Sequence, residues 1–92
     1  MIKSFRHRGL QRLYERGDSS RINPTLVEKV ETALGLLDVA ETPEAVNLPG
    51  YRLHPLRGDL RGFWSIRVSG NWRLIFRFDD RDVCDVDLVD YH

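Results

Sequence analysis

The stretch from 63 to 89, Phe-Trp-Ser-Ile-Arg-Val-Ser-Gly-Asn-Trp-Arg-Leu-Ile-Phe-Arg-Phe-Asp-Asp-Arg-Asp-Val-Cys-Asp-Val-Asp-Leu-Val, decides the fold. Its apolar residues recur with period two: Trp64, Ile66 and Val68, then Trp72, Leu74, Phe76 and Phe78, then Cys84, Val86 and Leu88. Such alternation predicts three strands, each with one face on a core. The apolar set is even-numbered in all three, so connecting loops without a bulge must have odd length to keep that set on one side. Three-residue loops at Ser69-Gly70-Asn71 and Asp80-Arg81-Asp82 meet the condition, with Gly70 as the left-handed residue. In that register Arg77 faces Asp85, and Arg67 lies beside Arg73.

Upstream the period is helical. Leu10, Leu13 and Tyr14 predict a helix from Arg8 to Arg16, stopped by Gly17. Asn23 before Pro24 reads as an N-cap, and Leu26, Val30, Ala33, Leu34 and Leu37 predict a second helix from about Pro24 to about Ala40. Residues 41–50 carry Pro43, Pro49 and Gly50 and read as irregular, with one helical turn begun at Thr42-Pro43. Ile2 to Phe5 and Tyr51 to His54 read as short strands, the latter closed by Pro55, and Gly58 and Gly62 bracket a turn. The expected fold is α+β: two N-terminal helices packed on one face of a four- to five-stranded, mainly antiparallel sheet. All of residues 1–92 form one domain, since a chain of 92 residues supports a single modest core and any site on it must be open.

Composition narrows the class. With 41% hydrophobic and 30% charged residues the chain reads as a soluble globular domain, and its one cysteine, Cys84, cannot staple it. No zinc-ligand spacing, apolar leader or membrane span is present, so no metal, cofactor or membrane is expected and a reducing cytoplasm fits. The formal net charge of zero conceals alternating segments: +4 over 1–21, −4 over 22–49, +5 over 50–78 and −5 over 79–92. A polyanion-binding face is therefore compatible with neutrality, provided the basic segments meet. The odd-numbered sheet face, with Ser65, Arg67, Arg73, Ile75 and Arg77, is the candidate.

Chemistry concentrates at strand ends. His54 precedes Pro55, and Asp90, Tyr91 and His92 follow the last strand. Two imidazoles can act as acid and base near neutrality. With guanidinium groups such as Arg57 and Arg73 they equip the chain for attack of a ribose 2′-OH on its neighbouring phosphate. Tyr91 can stack on a base or bond the phosphate. Each residue also has a plainer reading: Tyr91-His92 as a frayed tail, His54 as a strand terminator, His7 as a solvated helix-start residue, Trp64 and Trp72 as core, and the arginines as surface partners of Asp85 and Asp87. Cys84 sits in the apolar set, and Asp79, Asp80 and Asp82 form a hairpin tip.

Tyr51-Arg52-Leu53-His54-Pro55-Leu56-Arg57-Gly58-Asp59, Gly62-Phe63-Trp64-Ser65-Ile66, Gly70-Asn71-Trp72-Arg73-Leu74-Ile75-Phe76, the closing Asp90-Tyr91-His92 and the opening ten residues together resemble the HigB branch of the RelE-type toxins. The likeness is thinnest between Ser20 and Gly50. It implies a RelE-like toxin fold and a ribosome-dependent endoribonuclease that cuts messenger RNA in the decoding site. It also implies a helix-turn-helix, HigA-like antitoxin as partner. By position, His54 matches the family's active-site histidine, Arg73 its phosphate-stabilising arginine, and Asp90, Tyr91 and His92 its catalytic cluster. Arg57 stands where the family commonly has lysine; an arginine there can clamp phosphate but cannot transfer a proton near neutral pH. Arg67 completes the expected phosphate-binding set. Two other classes remain open: a non-catalytic binding module using the same arginine face, and a gyrase-inhibiting toxin, disfavoured because such relatives generally lack the terminal Asp-Tyr-His.

Overall fold

The computed structural model describes residues 1–91. It contains α1 (Arg8–Arg16), α2 (Val27–Val39), β1 (His54–Pro55), β2 (Phe63–Ser69), β3 (Trp72–Asp79) and β4 (Asp82–Asp90). Single 3₁₀ turns occupy Pro43–Val46 and Gly58–Leu60. The strands form one antiparallel sheet in the order β1-β2-β3-β4. Helix α2 packs on β2, and α1 packs on β4 and on α2.

Helix α1 has the predicted bounds because both of its ends are locally encoded. Gly17, at φ 68°, lets its N–H and that of Asp18 return to the carbonyls of Leu13 and Arg12. At the other end His7 is not the solvated residue expected: it is half-buried, and its Nδ1 accepts the Leu10 N–H at 3.1 Å. A Cβ on Gly9 would lie 2.8 Å from that imidazole, so the tight cap needs glycine there. Helix α2 begins three residues later than predicted. Asn23 Oδ1 accepts from the N–H and hydroxyl of Thr25, and Leu26 N–H returns to the Asn23 carbonyl, so 23–26 close as a turn before α-helical bonding starts.

Both hairpins solve the parity problem in a way not predicted. Ser69 pairs with Trp72 and Asp79 with Asp82, so each loop has two residues, Gly70-Asn71 and Asp80-Arg81. Gly70 and Asp80 take φ of 55° and 59°, as tight hairpin turns demand. An even loop would reverse the faces, and one bulge per hairpin restores them: between Arg67 and Ser69 on β2, and opposite Ile75 to Arg77 on β4, where Asp85 sits at φ 55°. The β4 bulge corrects two expectations. Val83, rather than Cys84, faces the helices, while Cys84 is buried on the far side. Arg77 has Cys84 as its Cα partner, yet its Nε still donates to Asp85 Oδ2 at 2.7 Å along the diagonal.

The core lies between the helices and the even-numbered face, with Leu10, Val30, Leu37, Ile66, Leu74, Phe76 and Val86 fully enclosed. Trp64 and Trp72 are partly buried against it, as expected. The far face is only partly an open arginine surface. Phe63, Ser65, Ile75 and Cys84 are buried on it, the Arg6 guanidinium covers the Phe63 ring at 4.7 Å, and Arg77 is engaged by Asp85. The N-terminal segment joins the outer edge of β4 through two parallel bridges, Ile2 to Val83 and Phe5 to Val86, rather than as a full strand. Ser4 Oγ accepts the Asp85 N–H at 2.9 Å, satisfying the bulge.

Two carboxylates tie these pieces together. Asp38 Oδ1 accepts from the Tyr14 hydroxyl at 2.6 Å and the Ile2 N–H at 3.1 Å, which holds Asp38 below the usual carboxylate range and pushes Tyr14 up to about 12. Arg77 likewise holds Asp85 low. Lowered acids stabilise the fold above their unfolded pKa and lose that contribution as pH falls through the folded value; a raised tyrosine loses its contribution as pH rises through its folded value. Stability is therefore expected to be flat across neutrality and to decline below about pH 4, where unfolded carboxylates take up protons. Tyr14→Phe should make the acid limb shallower. Urea unfolding midpoints that do not change between about pH 7 and about pH 3 would contradict this reading.

Candidate active site

The site begins with a break in strand pairing. The Arg67 N–H donates to the Tyr51 carbonyl at 2.6 Å, and pairing with β2 resumes only at His54 opposite Ser65. Between them Arg52 takes φ 51°, the left-handed region that costs a non-glycine residue about 1–3 kcal/mol. The predicted strand over Tyr51–His54 is thus reduced to His54–Pro55, and Pro55 belongs to it rather than closing it.

The detour brings Arg52 and His54 to one shallow cavity of about 340 Å³ on the face away from the helices, completed by Ser65, Arg73 and Tyr91. Ser65, the Cα partner of His54, is buried beneath it, whereas His54 is exposed. Arg73 is half-buried, and its Nη1 donates to the Gly70 and Trp72 carbonyls at 3.0 and 3.3 Å. Arg67, its Cα partner, reaches the same Gly70 carbonyl through Nε at 3.2 Å. The ion pairs among the described residues include neither of these arginines. Two like charges side by side on one carbonyl favour an incoming anion. Beyond β4 the Tyr91 N–H donates to the Asn71 carbonyl at 2.8 Å, which ties the end of the chain to the β2–β3 turn beside Arg73.

Of the residues predicted to act together, His54, Arg73 and Tyr91 share the cavity. Arg67 adjoins through Gly70. Arg57 is exposed at the entrance to the 3₁₀ turn and does not line the cavity. Asp90 pairs with Trp72, and the pleat places it on the face of Leu88, opposite that of Arg73 and Val89. His92 lies outside the described residues. Arg52 and Ser65 are additions: strand alternation marks Ser65 on the arginine-bearing face, whereas Arg52 reaches the cavity through its left-handed backbone. The cavity thus offers an imidazole for proton transfer, two guanidinium groups for a charged phosphorane and a phenol for stacking or bonding, with no carboxylate in its lining. No group of three or more metal-ligating side chains occurs among the described residues, and no helix there is long and apolar enough to cross a membrane.

Comparison with known proteins gives concordant matches. A family model described as RelE-like toxin of type II toxin-antitoxin system HigB matches residues 3–92. The chain is 41% identical over 92 residues to Endoribonuclease HigB of Proteus vulgaris, covering 100% of both chains. It is 34% identical over 82 residues to Toxin HigB-1 of Vibrio cholerae, covering 87% of this chain and 86% of that one. Among solved structures, a YafQ variant from E. coli aligns over 98% of this chain and 93% of its own with a TM-score of 0.63 at 18% identity. A chain of a YoeB-YefM complex from Staphylococcus aureus aligns over 100% of this chain and 98% of its own with a TM-score of 0.59, also at 18% identity.

Proposed function

The chain belongs to the HigB-like, RelE-type toxins of type II toxin-antitoxin systems and is an endoribonuclease, and from that premise we propose that it cleaves messenger RNA in the ribosomal decoding site. The observation that carries the proposal is the convergence of His54, Arg73 and Tyr91, with Arg52, on one open cavity. In the proposed step the 2′-oxygen bonds to phosphorus while the bond to the 5′-oxygen breaks. One imidazole takes the 2′ proton and an acid returns a proton to the departing 5′-oxygen. His54 supplies one of these transfers and the terminal Asp90-Tyr91-His92 cluster the other. Arg73 and Arg52 neutralise charge on the non-bridging oxygens, and Tyr91 holds the base or phosphate.

An open, one-sided site cannot by itself hold a flexible strand in line for attack, and a ribosome-held message removes that entropic cost. Dependence on the ribosome follows, as does a cytoplasmic setting. The antitoxin expected of such a system is proposed to be a helix-turn-helix protein of the HigA kind.

The test is incubation of purified protein with programmed ribosomes and with the same message free in solution. Cuts within the occupied decoding site, ending in a 2′,3′-cyclic phosphate and a 5′-hydroxyl, are the expected result. Intact message on ribosomes, or equal cutting without them, would refute the proposal. Ribosome association should also weaken as salt rises, because arginine contacts to phosphate release counterions.

A further inference from the structure

Among the described residues Ser65 is the one polar residue that is buried, at 4% exposure. Its backbone is paired on both sides, to His54 of β1 and to Ile75 of β3, and Phe63, Ile75 and Cys84 are buried on the same face. No hydrogen bond among the described residues involves its hydroxyl, yet none of their buried side-chain nitrogen or oxygen atoms is shut from solvent without a partner. Ser65 Oγ therefore opens into the cavity that it lines with Arg52, His54, Arg73 and Tyr91. A largely buried hydroxyl without a partner weakens a fold, so Ser65 contributes nothing to stability that alanine would not.

The position of that hydroxyl selects its partner. Directly opposed residues of an antiparallel pair point to one side of the sheet with Cβ atoms about 4.5–5.5 Å apart, so Ser65 lies beneath the approach to His54. Two guanidinium groups and no carboxylate line the same cavity, which favours an anion over an uncharged base edge. Arg73 Nη1 already donates to the Gly70 and Trp72 carbonyls, which leaves a short donor on the cavity floor a separate task. An anion held by the arginines, with a neighbouring atom exchanging a proton with His54, sits over Ser65 Oγ. In the reaction proposed above that anion is the phosphate under attack.

We propose that Ser65 is a further catalytic residue, its hydroxyl donating a hydrogen bond to one non-bridging oxygen of the reacting phosphate. This role rests on the nuclease reading. Ser65 Oγ keeps its proton throughout: the 2′-oxygen bonds to phosphorus, the 5′-oxygen leaves, and both proton transfers stay with the groups already named. Negative charge grows on the non-bridging oxygens as the phosphorane forms, and a fixed donor in a largely buried floor strengthens its bond at that moment. The effect belongs to kcat.

The experiment measures single-turnover cleavage on programmed ribosomes by wild type and Ser65→Ala. The messages carry oxygen, or sulfur in place of one or the other non-bridging oxygen, at the bond that wild type cuts. Ser65→Ala should slow the oxygen message by about 10–100-fold, the worth of a hydrogen bond to a charged group. Sulfur accepts hydrogen bonds poorly, so at one of the two positions the penalty for sulfur should be smaller in Ser65→Ala than in wild type by about twofold or more. The urea midpoint of Ser65→Ala should equal or exceed that of wild type. Cleavage by Ser65→Ala at the wild-type rate, or slowed cleavage with the wild-type sulfur penalty at both positions, would overturn the role and leave the nuclease reading standing. A lowered midpoint would overturn it too, by showing a hydroxyl already satisfied within the protein. If wild type leaves the oxygen message intact, the nuclease reading falls and the role of Ser65 with it.

Discussion

His54→Ala is expected to slow cleavage of ribosome-bound message by about 10²–10⁴-fold, the contribution of a positioned proton-transfer group. The loss should appear in kcat with little change in KM, since in the proposed step the imidazole acts on the transferring proton while the arginines and Tyr91 hold the RNA. Stability is a weak confounder. His54 is exposed on a two-residue edge strand and its side chain belongs to no core cluster, so its truncation should change the unfolding free energy by no more than about 0.5 kcal/mol. Single-turnover cleavage and urea unfolding, measured on the same preparation, separate the two effects. A rate within a few-fold of wild type would remove His54 from the reaction.

The largest structural effect is expected at Phe76. It sits on β3 with Trp64 as Cα partner, is fully buried, faces the β4 bulge and meets Phe78 edge-on at a centroid distance of 6.1 Å. Phe76→Ala removes that ring from a close-packed centre and should cost about 3–5 kcal/mol. Domains of this size have total stabilities of about 5–15 kcal/mol, so the variant should sit near its unfolding threshold at body temperature. Equilibrium denaturation at neutral pH provides the measure. A loss below about 1 kcal/mol would mean that the bulged strand collapses into the space.

How much of this was legible in the sequence depends on whether the signal was local. Gly17 and the spacing of Leu10 and Leu13 placed α1 correctly because a helix end is written within a few residues. The alternation of Trp72, Leu74, Phe76 and Phe78 placed β3 for the same reason. The hairpins were different. Parity required either an odd loop or an even loop with a bulge, and the sequence around Asp85 carries no glycine to mark the second solution. Cys84 and Val83 exchanged faces as a consequence. The site followed suit: His54, Arg73 and Tyr91, which line one cavity, are singled out by their types and positions, while the left-handed Arg52 depends on Tyr51 pairing with Arg67, a contact across the chain that no local pattern announces.

The bridges from Ile2 to Val83 and from Phe5 to Val86 join segments that lie far apart along the chain. Both helices and the first hairpin can form while synthesis continues, but the opening segment has no partner until β4 emerges, and Tyr91 reaches Arg73 only after that. Pairings this distant in sequence also close slowly, since the loop entropy is lost before the contacts form. The cavity lined by His54, Arg73 and Tyr91 is consequently completed only after β4 has paired with β3.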